Sequence, residues 1–388
     1  MKIVYCTNST EPSYGGIEVV TVAKANALAD VLGNEVWIVV TDQMHESARG
    51  VSKKVHVIDL NINYYDDDSV FKLICSYTIK RWKHRHVLQK LMEQIDPDVV
   101  ISTSKMEKYM LPQLKYRRRP LLVREIHHCR QFRMLNARTW WKKLYATLVD
   151  WYDYKVRIAG YDKIVVLTEE DKKISWKDNQ RVVVIPNPIL DMKDDNGVAT
   201  SEPRDKVVVA IGRLMPQKNF SSAIRVWKRV SLKHPDWELH IWGEGLMKQE
   251  LQKQIDFLSL SDKVRLMGYT ANIQEKMKAA SLLMMTSLYE GFGMVLIEGM
   301  QMGLPAISYA CPCGPKDIID DGVDGFLVTM GDEAMMAEKI CALIEDEHCR
   351  EGMREMARKK AEQFNLQTII AKWMAVFEQK SGSCIVAA

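Results

Sequence analysis

The sequence predicts an α/β fold of two doubly wound domains that face each other across a deep cleft. Three observations carry this prediction. Short apolar runs alternate with helix-spaced segments along most of the 388 residues, which is the pattern of parallel strands covered on both faces. The alternation breaks at one polar stretch, "LDMKDDNGVATSEPRDK", and then restarts. The length also exceeds what a single core ordinarily organises and suits two domains of roughly 150 to 200 residues each.

In chain order, "KIVYCT" reads as a short buried strand, and "VVTVAKANALADVLG" as a helix that ends at Gly33. "EVWIVVTD", "VHVIDL", "DVVISTS", "PLLVREI" and "DKIVVLT" follow as strands, separated by helical or basic segments. "RVVVIPNPI" then leads into the polar stretch, whose Asp, Gly and Pro content marks a linker near residue 190. Beyond it, "VVVAIGRL", "WELHIWGEG", "KVRLMGY", "LLMMTS", "LPAISY" and "GFLV" repeat the alternation. The segment 350–380 reads as a last long helix whose Trp373 and Phe377 suit packing across both domains, and no role is assigned to the tail "SGSCIVAA". The chain thus divides into 1–187, 188–362 and a C-terminal helix and tail, 363–388. Open sheets of this kind bind ligands beyond the carboxyl ends of their strands, so the motifs should meet in the cleft.

Apolar residues make up 47% and charged residues 27%, a globular balance. "MKIVYCTNST" lacks a charged segment followed by a long apolar one, so no cleavable signal peptide is expected. No run reaches the roughly 18 apolar residues of a spanning helix. Eight cysteines (6, 75, 129, 311, 313, 341, 349 and 384) show no CxxC. The pair Cys311–Pro312–Cys313 suggests a metal or redox site. With no histidine or second cysteine pair close in sequence, reduced structural thiols are expected instead, and a cytoplasmic location.

The net charge is +4, unevenly spread. "KLICSYTIKRWKHRHVLQK" contains no acid, and between Lys115 and Lys143 only Glu125 interrupts a series of bases that includes "KYRRRP" and "RTWWKK". Bases mixed with tryptophan and tyrosine suit anionic lipid headgroups, hence peripheral placement on the inner face of the plasma membrane. A solvated face with core aromatics behind it is the other reading. No nucleic-acid module accompanies the bases, and nucleic acid is not expected as a partner.

Two stretches carry chemistry. In "VVVAIGRLMPQKNF" a strand ends at Gly212, and Arg213 and Lys218 project from the next loop, ahead of a helix that begins near Asn219. Two such cations can neutralise a diphosphate, the arginine through paired hydrogen bonds. In "SLYEGFGMVLIEGMQMGLPAIS", a helix from Met294 to Met302 would present its free N–H groups and positive end at the Gly-Phe-Gly turn, a ready phosphate site. Glu290 then precedes the helix and Glu298 lies one turn into it. On one continuous helix they would stand about 12 Å apart, whereas glycosidase carboxyl pairs need roughly 5 to 9.5 Å and opposite sides of the bond. A hydrolytic dyad is disfavoured. "YYDDDS" at 64–69 offers an Asp-x-Asp of the metal-binding kind, but on a polar stretch away from the phosphate site; it reads as a solvated loop.

E-G-F-G-x-x-x-x-E at Glu290–Glu298, together with G-R-L-x-x-x-K-N at 212–219, resembles the retaining glycosyltransferases of family 4, which have the GT-B fold of two Rossmann-like domains. "NSTEPSYGGIEVV" resembles the family's glycine loop, "VLTEED" and "VIPNP" its domain junction, and "DGVDGFLV" its C-terminal signature. The resemblance covers most of the chain and implies an acceptor-binding first domain and a nucleotide-sugar-binding second. It implies that Arg213 and Lys218 hold the donor diphosphate, that Glu298 binds the ribose hydroxyls, and that Glu290 contacts the donor sugar. Phe292, Gly293, Met294 and Val295 would supply backbone donors to sugar and phosphate, and Gly15 and Gly16 would let backbone approach phosphate. His127, in "VREIHHC", would sit near the sugar's 6-hydroxyl, with His128 as the neighbouring candidate.

The function so implied is transfer of a sugar from a nucleotide-diphosphate donor, UDP favoured, to a hydroxyl of a lipid-linked or surface-polysaccharide glycan. Configuration would be retained, with no cofactor and no metal required. A nucleotide-sugar epimerase of the same architecture and a non-catalytic nucleotide-sugar-binding protein are the alternatives.

Overall fold

The computed structural model describes residues 1–10, 16–42, 50–64, 70–104, 106–137, 139–177, 179–190 and 204–379, and for 70–76 the backbone alone. Gly15 and most of its glycine loop, Asp66 to Asp68, most of the linker, the side chain of Cys75 and the tail with Cys384 lie outside the described residues.

Seven strands form the first sheet: β1 (Lys2–Cys6), β2 (Glu35–Val40), β3 (Val55–Asp59), β4 (Val99–Ser102), β5 (Leu121–Glu125), β6 (Lys163–Val166) and β7 (Val182–Val184). Their order is β3-β2-β1-β4-β5-β6-β7, all parallel. Six more form the second: β8 (Val207–Ile211), β9 (Glu238–Trp242), β10 (Val264–Gly268), β11 (Leu282–Met285), β12 (Ala306–Tyr309) and β13 (Gly325–Val328). Their order is β10-β9-β8-β11-β12-β13, again parallel. Each sheet reverses direction of growth at its first strand, the crevice-forming feature of doubly wound sheets. Strands such as β4 and β11 are buried along their whole length, because helices cover both faces.

The expected last long helix is two helices. Glu347–Ala361 packs on the second lobe through Ala357 and Ala361, and Leu366–Glu378 packs on the first through Ile369, Trp373 and Phe377. Asn365 makes the break, since its side chain accepts the Thr368 N–H at 2.7 Å and starts a new helix. The chain therefore crosses between lobes at residues 362–365. There the Phe364 carbonyl accepts the Ile189 N–H at 2.7 Å, tying the crossing to the strand that entered the linker.

Lys24, on the helix Gly16–Asp30, is 1% exposed and forms an ion pair with Glu125 at the end of β5. Its ammonium also lies 4.6 Å from the centre of the Trp373 ring. Burial pushes the Lys24 ammonium below its ordinary range, against the pull of Glu125. Burial would raise Glu125, but Lys24 and His127 hold it down at about 2. Removing one member of such a pair strands a charge, at a cost of about 3–5 kcal/mol, whereas an apolar replacement of both is close to neutral. Lys24→Met should accordingly lower stability by that amount in urea denaturation, and Lys24→Met with Glu125→Leu should recover most of it. If the single variant is as stable as the parent, the pair is not what holds these elements.

Candidate active site

A cavity of about 750 Å³ opens between the lobes at the carboxyl ends of the strands. The first lobe supplies Gly16, His127 and Asn136, with Leu167 and Asn187 from the junction, and the second supplies the loop after β8 and the turn before the helix Met294–Gln301. Gly16, His127, Arg213, Lys218, Glu290, Phe292, Gly293, Met294, Val295 and Glu298 all line it, so every predicted site residue that is described lies in one place.

The second lobe's half is built by two loops locked together. Gln217 donates its side-chain amide to the Tyr289 carbonyl at 2.8 Å, and the Leu288 N–H donates to the Gln217 carbonyl at 2.8 Å. Thr286 Oγ1 donates to the carbonyls of Lys218 and Asn219, both at 3.1 Å. These bonds bring Lys218 Nζ to 2.7 Å from Glu290 Oε1. The cation and the carboxylate thus fix each other before any ligand arrives, a pairing that sequence spacing did not reveal. Arg213 is exposed, and no carboxylate among the described residues pairs with it. It remains the freer of the two cations.

Glycine is required where backbones meet. Gly293 caps the Met294–Gln301 helix in the left-handed region, φ 100°, and Gly293, Met294 and Val295 at this helix start line the cavity. A Cβ on Gly291 would overlap the His127 carbonyl of the other lobe, and one on Gly314 would overlap the Phe292 carbonyl. The E-G-F-G turn therefore combines a helix start with a close contact between lobes.

The structure separates the two histidines. His127 lines the cavity with its Nε2 at 3.1 Å from Glu125 Oε1. His128 turns away, its Nε2 at 3.1 Å from the Tyr154 hydroxyl. Sequence reasoning missed Asn136, which donates to the Tyr289 hydroxyl at 2.7 Å across the cleft, and Asn187, buried at its wall. The "VIPNP" motif held the signal for Asn187: a polar residue between two prolines at a junction. Asn136 had none, because its partner is 153 residues away.

The lobes also meet below the cavity. The backbone N–H groups of Glu169 and Glu170 reach the Asp317 carboxylate, at 2.6 and 3.4 Å, and Glu170 forms an ion pair with Lys316. Cys129 of the first lobe comes beside Cys313 of the second, with Asp171 next to both. A search for partners close in sequence could not find this grouping.

Residues 14–190 match the model of Glycosyltransferase Family 4, and residues 191–362 that of Glycosyl transferases group 1. The chain belongs to these GT-B glycosyltransferases. The amylovoran biosynthesis glycosyltransferase AmsD of Erwinia amylovora is 32% identical over 56% of this chain and 64% of that protein. A Campylobacter jejuni α-1,4-N-acetyl-D-galactosaminyltransferase, whose name gives a diphospho-undecaprenol-linked acceptor, is 28% identical over 56% of this chain and 60% of that one. The chain spans between 30% and 64% of the length of the first curated relatives it matches. Among solved structures, TarM of S. aureus, crystallised with UDP, superposes with a TM-score of 0.76 over 97% of this chain and 99% of TarM, at 16% identity. That likeness establishes the two-lobed fold.

Glu298 is pushed up to about 6 by burial, with Lys218 pulling the other way. Its folded value lies above the unfolded one, so the folded state binds more protons between about pH 4.5 and 6, and stability falls as pH rises through that window. Above it the cost is complete, up to about 2 kcal/mol. Glu298→Gln should therefore raise the melting temperature at pH 7.5 while weakening donor binding. A variant that loses stability, or binds donor as well as the parent, would contradict this assignment.

Proposed function

We propose that this chain transfers a sugar from a nucleoside diphosphate donor to an acceptor hydroxyl with retained configuration, UDP-sugars being the favoured donors. The observation that carries the reading is the convergence on one inter-lobe cavity of two cations, a helix start and two carboxylates. The diphosphate lies against Arg213, Lys218 and the N–H groups that follow Gly293, where charge grows as the leaving group departs. Glu298 accepts from the ribose hydroxyls, and Glu290, released in part from Lys218 when phosphate takes over that cation, accepts from the donor sugar. His127, oriented by Glu125, meets the sugar from the first lobe. The acceptor attacks on the face from which the diphosphate leaves. Closure of the first lobe over the donor excludes water that would otherwise hydrolyse it. Fixed cations and amide dipoles make a metal on the diphosphate unnecessary. UDP in TarM favours that nucleotide, and the polysaccharide and polyprenol-linked roles in the relatives' names favour a surface-glycan or lipid-linked acceptor.

Arg213→Ala and Lys218→Ala should each lower transfer from a UDP-sugar at least about tenfold. Transfer should proceed without added Mg²⁺ or Mn²⁺. Near-parental rates in both variants would remove the diphosphate assignment, and conversion of the donor to another sugar without acceptor would establish an epimerase instead.

The acceptor's lipid fits a surface beside the cleft. The helix Trp140–Trp151 starts four residues after Asn136 and stands out from the first lobe, with Trp140 77% and Tyr145 65% exposed, and Trp141, Leu144, Leu148 and Trp151 also exposed. Six large apolar side chains of this twelve-residue helix are exposed, far beyond the scattered surface residues of ordinary proteins. Lys142, Lys143 and Lys155 are exposed on and just after it. The nearby acids face inward: Arg133 binds Asp150 and Asp153, and Lys108 pairs with Asp153 at 3.5 Å. What the helix offers outward is therefore aromatic and cationic, the combination that inserts at an anionic membrane surface. The tryptophans and lysines of "RTWWKK" are exposed without acids beside them, whereas in "KYRRRP" Arg118 pairs with Asp96 and Asp98 and Arg119 with Asp162. No described helix is long and apolar enough to cross a membrane. Co-sedimentation with phosphatidylglycerol vesicles should fall at least about tenfold in Leu144→Glu with Leu148→Glu. Equal binding of parent and variant would place the contact elsewhere.

A further inference from the structure

Among the described residues, one group of three metal-ligating side chains stands together, and none of its members lines the donor cavity. Cys129 follows β5 and Asp171 closes the short helix Glu169–Asp171, both in the first lobe; Cys313 lies on the loop after β12 in the second. Their two Sγ atoms and a carboxylate oxygen all lie within 4.8 Å of one another, and all three side chains are buried.

We propose that Cys129, Asp171 and Cys313 form a zinc site that clamps the two lobes in their closed arrangement. The ligand chemistry selects the ion. Two sulfurs favour a thiophilic cation over Mg²⁺ or Ca²⁺, which take oxygen ligands. At a zinc–sulfur distance of about 2.3 Å, tetrahedral geometry sets the sulfurs roughly 3.8 Å apart, within the observed spacing. Three protein ligands leave one position for water.

The surroundings are those of a supported ligand set. Asp171 Oδ1 accepts from Ser175 Oγ at 2.8 Å and from the Arg130 N–H at 3.3 Å, and Oδ2 accepts from Trp176 Nε1 at 3.3 Å. Outer hydrogen bonds of this kind aim a ligating carboxylate. The Cys313 N–H donates to Glu170 Oε2 at 2.8 Å, which fixes that loop against the first lobe. Charge also balances. Two thiolates and a carboxylate carry −3. The ion supplies +2, and Arg130, held between the rings of Tyr154 and Trp176 at 4.6 Å from each centre, supplies +1. A buried site with no net charge avoids the desolvation cost that an unbalanced one would incur.

The site does more than add stability. Because one ligand comes from the second lobe, the ion binds the closed arrangement better than the open one and shifts the balance toward closure by that difference in affinity. It acts on the lobes, not on the donor diphosphate.

The test uses the full chain, reduced and stripped of metal, titrated with Co²⁺ and then Zn²⁺. One equivalent should bind, with a thiolate-to-cobalt charge-transfer band that zinc abolishes. Small-angle scattering should show a smaller radius of gyration with zinc. Cys313→Ser and Cys129→Ser should lose the band, Asp171→Asn should weaken affinity at least about tenfold, and Cys349→Ser should behave as the parent. Circular dichroism of each variant establishes that it is folded. Absence of the band in the parent, or its persistence in Cys313→Ser, overturns the proposal. So does loss of two titratable thiols on exposure to glutathione disulfide with no metal uptake by the reduced chain, which would make the pair a disulfide lock. None of these readouts involves sugar transfer, so the zinc site and the transferase reading stand or fall separately.

Discussion

A lysine ammonium with almost no access to water must keep its counter-charge, and that requirement organises the first lobe. Lys24 reaches Glu125 from the helix whose start lines the cleft, and Trp373 from the C-terminal helix covers the ammonium. Glu125 in turn lies beside His127. One buried pair thus joins the helix Gly16–Asp30, the end of β5, the cavity-lining His127 and the segment that crosses back from the second lobe. A neutral pair of similar volume would pack these elements as well. It would not hold an imidazole beside a permanently ionised carboxylate, and that is what gives the charge a use at the cleft.

The second lobe meets the same problem with the opposite solution. Lys218 is half-buried and Glu290 buried, yet they pair in a cavity that a charged ligand can enter. Their attraction keeps both side chains aimed while the cavity is open, so less ordering is required when a ligand binds. Such a bond can be exchanged, because an anionic ligand would offer Lys218 a stronger partner and hydroxyl groups would offer Glu290 donors. Structural charge is sealed in one lobe and exchangeable charge is displayed in the other.

The strands and the second-lobe motifs were legible because their signals are local. Parallel strands buried on both faces read as continuous apolar runs, and the thirteen observed strands fall on the thirteen runs. The convergence of Arg213, Lys218, Glu290 and Glu298 followed from strand-end loops and one helix start. What stayed hidden depends on distance along the chain. The Lys24–Glu125 pair spans 101 residues and the Asn136–Tyr289 bond 153, and no spacing rule reaches that far. The break at Asn365 was different: Asn365 and Thr368 form a local capping signal that the apolar periodicity of 350–380 obscured.

Close backbone contacts, one of them between lobes, explain the glycines at 291 and 314. Gly291 admits the His127 carbonyl, Gly314 admits that of Phe292, and Phe292 stacks edge-on against Phe364 at the crossing, 5.7 Å between centres. The E-G-F-G turn, the inter-lobe contact and the crossing point are therefore one packed unit, without room for a side chain at either glycine. Movement of the first lobe must then be felt at the helix start that lines the cavity, because the same few residues form both surfaces. Glu170 and Asp317 continue this contact below the cavity. The helix with the exposed tryptophans begins four residues beyond Asn136 and so follows directly from this contact. Any constraint on that helix would bear on the first lobe, and through Asn136 and Tyr289 on this edge of the cleft.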